Sequence, residues 1–285
     1  MDAYAYHQYG GCRLAYRMRG EGLPVLLIQG TGVHGDGWQP QVDGLAARFS
    51  CLSFDNRGVG LSQPLGAAIS VGQLADDARA LLDAVGWPSA HVVGHSLGGP
   101  IALELALTAP GRVRSLALLC TTARGRDVFP LTPRTLSLAL RMQVGPRRLR
   151  RRAFLDLVTL PSRATARERD ALAMQLGELF GRDLAEQPPI VRQQLAALRA
   201  FDATARLGGL GDIPALVVSA AHDPIAPPAL GRRLAAGIPG ARYVEIAEAS
   251  HAAPVQNAAA INALLADHFA QAEARTARSV APPHG

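Results

Sequence analysis

A serine, an aspartate and a histidine stand far apart in this 285-residue chain, each in a setting that suits nucleophilic catalysis. Ser96 lies in Gly94-His95-Ser96-Leu97-Gly98-Gly99, between the apolar pair Val92-Val93 and a helical run from Ile101 to Leu107. This spacing predicts a buried strand, a turn too tight for side chains two positions either side of the serine, and a helix that opens at once. Such a corner exposes the hydroxyl. The first N–H groups of the helix put partial positive charge where an attacked carbonyl would gain negative charge.

A serine hydroxyl is a weak nucleophile until a base takes its proton and a third group fixes the tautomer of the base. Two later loops offer these groups. Asp223, in Ala221-His222-Asp223-Pro224, follows the apolar run 216–219, and His251, in Ala249-Ser250-His251-Ala252, follows the run 242–246. Both stand where a strand ends, the edge at which a parallel sheet places its sites. Taken singly, an Asp or His in a loop is ordinarily just solvated. Three such residues at strand ends, in this order, point to one site. Among the other histidines, His95 is expected to turn away from Ser96 and support the corner, and His222 to shape the loop around Asp223. His91, His268 and His284 have no partner pattern, and His34 is expected to be an exposed loop residue more than a substrate contact.

The elements that must position these residues alternate. Runs 3–9 and 13–19 predict two strands joined by Gly10-Gly11, and 24–28 predicts a strand buried on both faces. That strand empties into the glycine-rich loop Gln29-Gly30-Thr31-Gly32 before a helix over 38–48. A strand over 51–55, a helix over 71–85, the strand, corner and helix around Ser96, here called the elbow, and a sixth strand over 113–120 continue the pattern of a doubly wound α/β domain. From 123 to 206 the alternation stops. Four helices are expected there instead, over 132–143, 146–159, 164–181 and 188–204, before strands return at 214–219 and 242–246 with a last helix over 254–271. The division is therefore a core of residues 1–122 and 207–272, a helical cap of 123–206, and a frayed tail of 273–285.

Composition narrows the function. No apolar run approaches the roughly 18 residues that a membrane span needs, and the first ten residues carry no signal-peptide pattern. A cytoplasmic enzyme with no membrane partner is the expectation. Cys12, Cys51 and Cys120 are too few and too scattered for a disulfide framework or a zinc site, so they are expected as reduced core residues. The chain has no lysine, which excludes Schiff-base and P-loop chemistry. Its net charge of +6 is uneven, with 16 arginines against 8 acids in 121–207 and 13 against 15 elsewhere. Arg147, Arg148, Arg151 and Arg152, with Arg150 beside them, would form one exposed helix face. Nucleic-acid binding would want stacking aromatics or a known fold, and neither is present. Positive charge above a catalytic serine would instead concentrate anionic substrates bearing a carboxylate or phosphate. The few cap aromatics, Phe129, Phe154, Phe180 and Phe201, leave Leu, Met and Ala to line a pocket suited to aliphatic or small cyclic substrates.

On these residues the chain resembles an α/β-hydrolase of the cap-domain type, a family in which the order Ser, Asp, His is the usual one. The resemblance spans nearly everything but the tail and is strongest over 14–123. It is carried by the elbow, by Asp55-Asn56-Arg57-Gly58-Val59-Gly60-Leu61-Ser62 and by the Asp223 and His251 loops. It implies an α/β-hydrolase fold, a mostly parallel central sheet flanked by helices with a four-helix cap inserted after the sixth strand. It further implies Ser96 as nucleophile, His251 as general base and acid, Asp223 as its orienter, and the backbone N–H groups of Thr31 and Leu97 as oxyanion hole. The implied activity is hydrolysis of a small-molecule carboxylic ester or lactone, with no cofactor and no metal.

Where many members have His-Gly, this chain has Gln29-Gly30, as enol-lactonases of aromatic catabolism also lack that histidine. The donor there is backbone and should survive; the role of the side chain at 29 stays open. Serine at 96 and leucine at 97 disfavour haloalkane dehalogenases and epoxide hydrolases, and the absence of lysine disfavours hydroxynitrile lyases. Asp55 and Arg57 are expected to be structural. The same triad serves thioesterases, carboxylesterases of carrier-bound methyl esters and carbon–carbon bond hydrolases. A ligand receptor on a retained hydrolase fold is the alternative outside enzymes.

Overall fold

Apolar runs without polar alternation have to be covered on both faces, and they form the middle of the sheet. The computed structural model describes residues 3–64, 69–130, 132–160 and 165–280. Its eight strands are β1 (Ala5–Tyr9), β2 (Cys12–Arg19), β3 (Leu23–Ile28), β4 (Phe49–Phe54), β5 (Ala90–His95), β6 (Val113–Leu119), β7 (Ala215–Ala220) and β8 (Arg242–Ile246). They lie in the order β1-β2-β4-β3-β5-β6-β7-β8. β2 is antiparallel to both β1 and β4, and the six strands β3 to β8 pair in parallel with one another. The core helices are α1 (Gln39–Leu45), α2 (Val71–Ala84), α3 (Gly98–Thr108), α8 (Pro228–Gly237), α9 (Ala253–Gln256) and α10 (Ala258–Val280); the cap, inserted after β6, holds α4 (Pro133–Gln143), α5 (Arg147–Val158), α6 (Ala166–Leu179) and α7 (Pro189–Ala200).

Successive residues of a strand face opposite layers. Leu26 and Ile28 of β3 pack with Leu74 and Leu81 of α2 and Ile101 of α3, while Val25 and Leu27 pack with Leu45 of α1 and Ile261, Leu265 and Phe269 of α10. The chain leaves β3 toward β4 on one side and leaves β5 toward β6 on the other. Their carboxyl ends therefore diverge and open a crevice.

The Asp55 stretch is structural. The Asp55 carboxylate accepts the N–H groups of Gly35 (2.8 Å) and Leu61 (2.9 Å). Arg57, only 3% exposed, donates to Asp77 and to the carbonyls of Gly10 and Tyr9.

α1 and α7 end three and four residues before their expected limits, and the C-terminal boundaries differ further. The last helix is preceded by the short α9, and α10 then continues to Val280, through residues expected to fray. Ala272 is buried, and Glu273 binds Arg114 and lies 3.5 Å from Nε2 of His91, so tertiary contacts extend the helix past its apolar face. The rest of the expected tail, 281–285 with His284, lies outside the described residues, as does the expected start of the third cap helix at 164.

His91 is stacked 4.4 Å from Phe269, and burial pushes both His91 and His268 down to about 4. An unfolded chain would protonate them near the ordinary histidine value of about 6.5. His95 is pushed lower still, to about 3. Below the ordinary value the unfolded state therefore binds three protons that the folded state refuses, and stability falls as pH drops from about 6.5 toward 4. The slope expected is about 4 kcal/mol per pH unit. Denaturant titrations at pH 7, 6 and 5 measure it, and His268→Gln should flatten the slope by about a third.

Candidate active site

Ser96 holds a positive φ of 54°, a conformation that non-glycine residues seldom adopt. Glycines make room for it: a Cβ on Gly94 would come within 2.2 Å of the Gly98 carbonyl oxygen, and one on Gly98 within 2.0 Å of the Ile28 carbonyl oxygen. Backbone bonds then pin the corner. The Ser96 N–H donates to Leu119 at 3.0 Å, and the Ser96 carbonyl accepts from Gly99 N–H at 2.9 Å and from the Thr121 hydroxyl at 2.7 Å.

The loops after β7 and β8 bring Asp223 and His251 to this corner. His251 Nε2 lies 3.0 Å from Ser96 Oγ, and His251 Nδ1 lies 2.7 Å from Oδ2 of Asp223. The other Asp223 oxygen accepts the N–H groups of Ile225 (2.8 Å) and Ala226 (2.9 Å), which fixes the carboxylate plane. With Asp223 accepting at Nδ1, that nitrogen carries the proton of the neutral ring and Nε2 faces the hydroxyl as an acceptor. The loop after β3 abuts the same hydroxyl, since a Cβ on Gly30 would stand 3.0 Å from Ser96 Cβ and 3.5 Å from its Oγ. Neither the Thr31 N–H in that loop nor the Leu97 N–H at the start of α3 has an acceptor among the described residues.

Gln29 turns inward and braces this loop: its Oε1 accepts the Gly30 N–H at 2.9 Å, and its carbonyl accepts Nδ2 of Asn56 at 2.9 Å. His95 supports the corner from the other side, with Nε2 2.9 Å from the His251 carbonyl and the two rings 4.9 Å apart. Burial, with the His251 ring beside it, pushes His95 down to about 3. It is therefore neutral, with its proton on the nitrogen that faces the carbonyl. The backbone of His222 joins the two loops, donating to Ala249 and accepting from the Ser250 hydroxyl. Cys120, buried beside Asp223, is held as the thiol by that burial first and by the carboxylate second.

A cavity of about 620 Å³ opens over Ser96 between core and cap. Phe129, Phe154 and Phe180 all line it with Leu and Met side chains, so its walls are more aromatic than expected; only Phe201 is withdrawn, into the core under α7. The arginine face of α5 also behaves differently from the expectation. Arg148 and Arg152 bind Asp170 of α6, pushing it down to about 2, and Arg147 and Arg151 bind Asp183. These four groups tie the cap together and do not line the cavity. His34 is also absent from the cavity wall; its N–H donates to the Phe180 carbonyl at 3.3 Å and its ring fills the space left by Gly60 and Gly181 at the seam of core and cap.

Four cavity or loop contacts were not read from the sequence. Arg192 and Arg199 of α7 line the cavity and have no hydrogen bond or ion pair among the described residues. With Leu195 they occupy spacings of three and four on one helix stripe, a signal the sequence contains. Arg182 and Gln194 reach down from the cap to Gly32. Gln194 is the polar member of an otherwise apolar face (Ile190, Val191, Ala197, Leu198), the usual mark of a specific buried bond.

Among the described residues no group of three or more His, Cys, Asp or Glu side chains could hold a metal ion, and no helix is long and apolar enough to cross a membrane. The family model for the alpha/beta hydrolase fold matches residues 24–258. A chain of Azorhizobium caulinodans with the name "Putative carbamate hydrolase RutD" is 34% identical over 251 residues, covering 87% of this chain and 91% of its own length. Among solved structures, the enol-lactonase from Burkholderia xenovorans LB400 has a TM-score of 0.78 at 29% identity, covering 93% of this chain and 100% of that one. A hydrolase from Pseudomonas aeruginosa PA01 has a TM-score of 0.75 at 27% identity, over 93% of this chain and 98% of that one. With a parallel sheet, a cap inserted after β6 and a strained serine corner between β5 and α3, the chain belongs to the α/β-hydrolase family.

Proposed function

We propose that the protein hydrolyses carboxylic ester or lactone bonds through an acyl-enzyme on Ser96. One observation carries the reading: a single imidazole, that of His251, is within hydrogen-bond reach of Ser96 Oγ (3.0 Å) on one side and of Asp223 (2.7 Å) on the other. His251 takes the hydroxyl proton as Oγ attacks the carbonyl carbon, and Asp223 stabilises the imidazolium that forms. The oxyanion rests on the N–H groups of Thr31 and Leu97. His251 returns its proton to the departing alcohol, then deprotonates the water that releases the acid and restores Ser96. For a lactone the departing alcohol stays tethered, and the product is a hydroxy acid.

The largely apolar cavity suits a substrate with an aliphatic or small cyclic body. Arg192 and Arg199, which have no partner among the described residues, favour one that also carries a carboxylate or phosphate away from the scissile bond. The name of the enol-lactonase relative supports the lactone arm. A carbamate, the bond in the name of the RutD relative, offers the same kind of carbonyl to the same groups and belongs in the substrate panel.

Ser96→Ala should lose fluorophosphonate labelling and lower hydrolysis of 4-nitrophenyl butyrate by about 10⁴-fold or more, with an unchanged melting temperature. Surviving turnover would mean that another group is the nucleophile. The double variant Arg192→Gln/Arg199→Gln should lower kcat/KM for an ester bearing a free carboxylate about tenfold relative to a neutral ester of equal length. In the parent protein that preference should shrink as salt is raised; a preference insensitive to both changes would remove the arginines from recognition.

A further inference from the structure

Gly32 is gripped by the cap at both of its polar atoms. Its N–H donates to Oε1 of Gln194 at 2.7 Å, and its carbonyl accepts from Nε of Arg182 at 2.9 Å. Gln194 is fully buried, does not line the cavity, and leaves its own Nε2 without a partner among the described residues. An orphaned buried N–H group costs about 1–3 kcal/mol, which offsets the bond that the same amide makes through Oε1. What glutamine adds is the bond to Gly32.

That bond acts on the neighbouring peptide. The Thr31 N–H belongs to the peptide between Gly30 and Thr31, which has an anchored peptide on each side. The preceding one is tied within the core, with the Gly30 N–H on Gln29 Oε1 and the Gln29 carbonyl on Asn56. The following one is tied by the Gly32 N–H to Gln194. The middle peptide itself has only a long contact, from the Val33 N–H to the Gly30 carbonyl at 3.5 Å. It pivots on the ψ of Gly30, where no side chain resists rotation, and on the φ of Thr31, so its direction depends on the anchored peptides that flank it. On the hydrolase reading, a flip would put a carbonyl oxygen where the oxyanion needs an N–H.

We propose that Gln194, assisted by Arg182, is a positioning residue for the oxyanion donor: the cap locks the Thr31 N–H toward Ser96, and the hole is complete only while the cap is seated. This rests on the hydrolase reading above. The cap meets the other two loops in the same manner, since the Ala252 N–H donates to Val158 at 2.7 Å and the Phe129 N–H donates to Ile225 at 2.9 Å. Substrate filling the cavity beneath a seated cap thus meets a donor already aimed.

The test replaces Gln194→Met, which keeps the length and removes the acceptor. The rate of Ser96 phosphonylation by a fluorophosphonate and kcat for 4-nitrophenyl butyrate should both fall about 10- to 100-fold. KM should stay within about threefold, and affinity for a trifluoromethyl ketone should weaken in step with kcat/KM. The melting temperature should change little, because the orphaned Gln194 amide N–H is exchanged for an unpaired Gly32 N–H. Gln194→Glu, which keeps an oxygen acceptor, should recover most of the rate. A Gln194→Met kcat within about twofold of the parent, or a fall in kcat without weaker ketone binding, would overturn the proposal. If Gln194→Met does not fold, Arg182→Met frees the Gly32 carbonyl and is read in the same way. Ser96→Ala separates the two failures: turnover that survives it sinks the hydrolase reading, whereas an inert Ser96→Ala beside a fully active Gln194→Met sinks only the positioning role.

Discussion

The backbone at Ser96 is the constraint on which the rest depends. A non-glycine residue at positive φ costs about 1–3 kcal/mol and persists only where its surroundings over-determine it. Here the surroundings are the end of β6, which accepts the Ser96 N–H through Leu119, and the Thr121 hydroxyl, which caps the Ser96 carbonyl. Gly94, Gly98 and Gly30 lack side chains where β3, α3 and the β3–α1 loop come too close for any. The sheet order places β3 and β5 side by side, so the corner and the glycine-rich loop meet at one crevice. A change in strand order would separate them.

The cap is part of this arrangement and not merely a cover. Val33, which follows the glycine-rich loop, packs with Leu155, Leu176 and Phe180 of the cap; Ile225 and Ala252, which follow Asp223 and His251, pack with Leu138, Leu157 and Val158. Each loop that carries a polar group of the site is therefore buttressed from above by apolar contact and a backbone bond. A loop held on both sides keeps its geometry without relying on its own stiffness.

Charge is divided within the cap by the same packing. Asp170 and Asp183 each take two arginines of α5, which orients helices and loop although single exposed pairs add little stability. Arg192 and Arg199 sit on the cavity side of α7, out of reach of those acids. The positive charge available to a ligand is thus much smaller than the composition of the segment suggests, and it stands at the cavity wall.

The sheet was legible because burial on both faces leaves uninterrupted runs such as Val25 to Ile28, and the corner because only glycines fit around it. Asp223 and His251 were legible by their place after strands, although their distances to each other and to Ser96 depend on how β7 and β8 dock. The arginines of α5 misled because their acids lie 18 or more residues away, a separation that helix periodicity does not report. Gln29 and Gln194 were opaque for a similar reason: an amide looks the same in a sequence whether it meets water or a backbone N–H. Sequence alone determined the strained serine corner, the strand pattern and the helical insertion, since each follows from local backbone or burial rules. Only the tertiary structure decided which charges are spent inside the cap, which arginines face the cavity, and that Gly32 is held from above, because these depend on which distant surfaces come into contact.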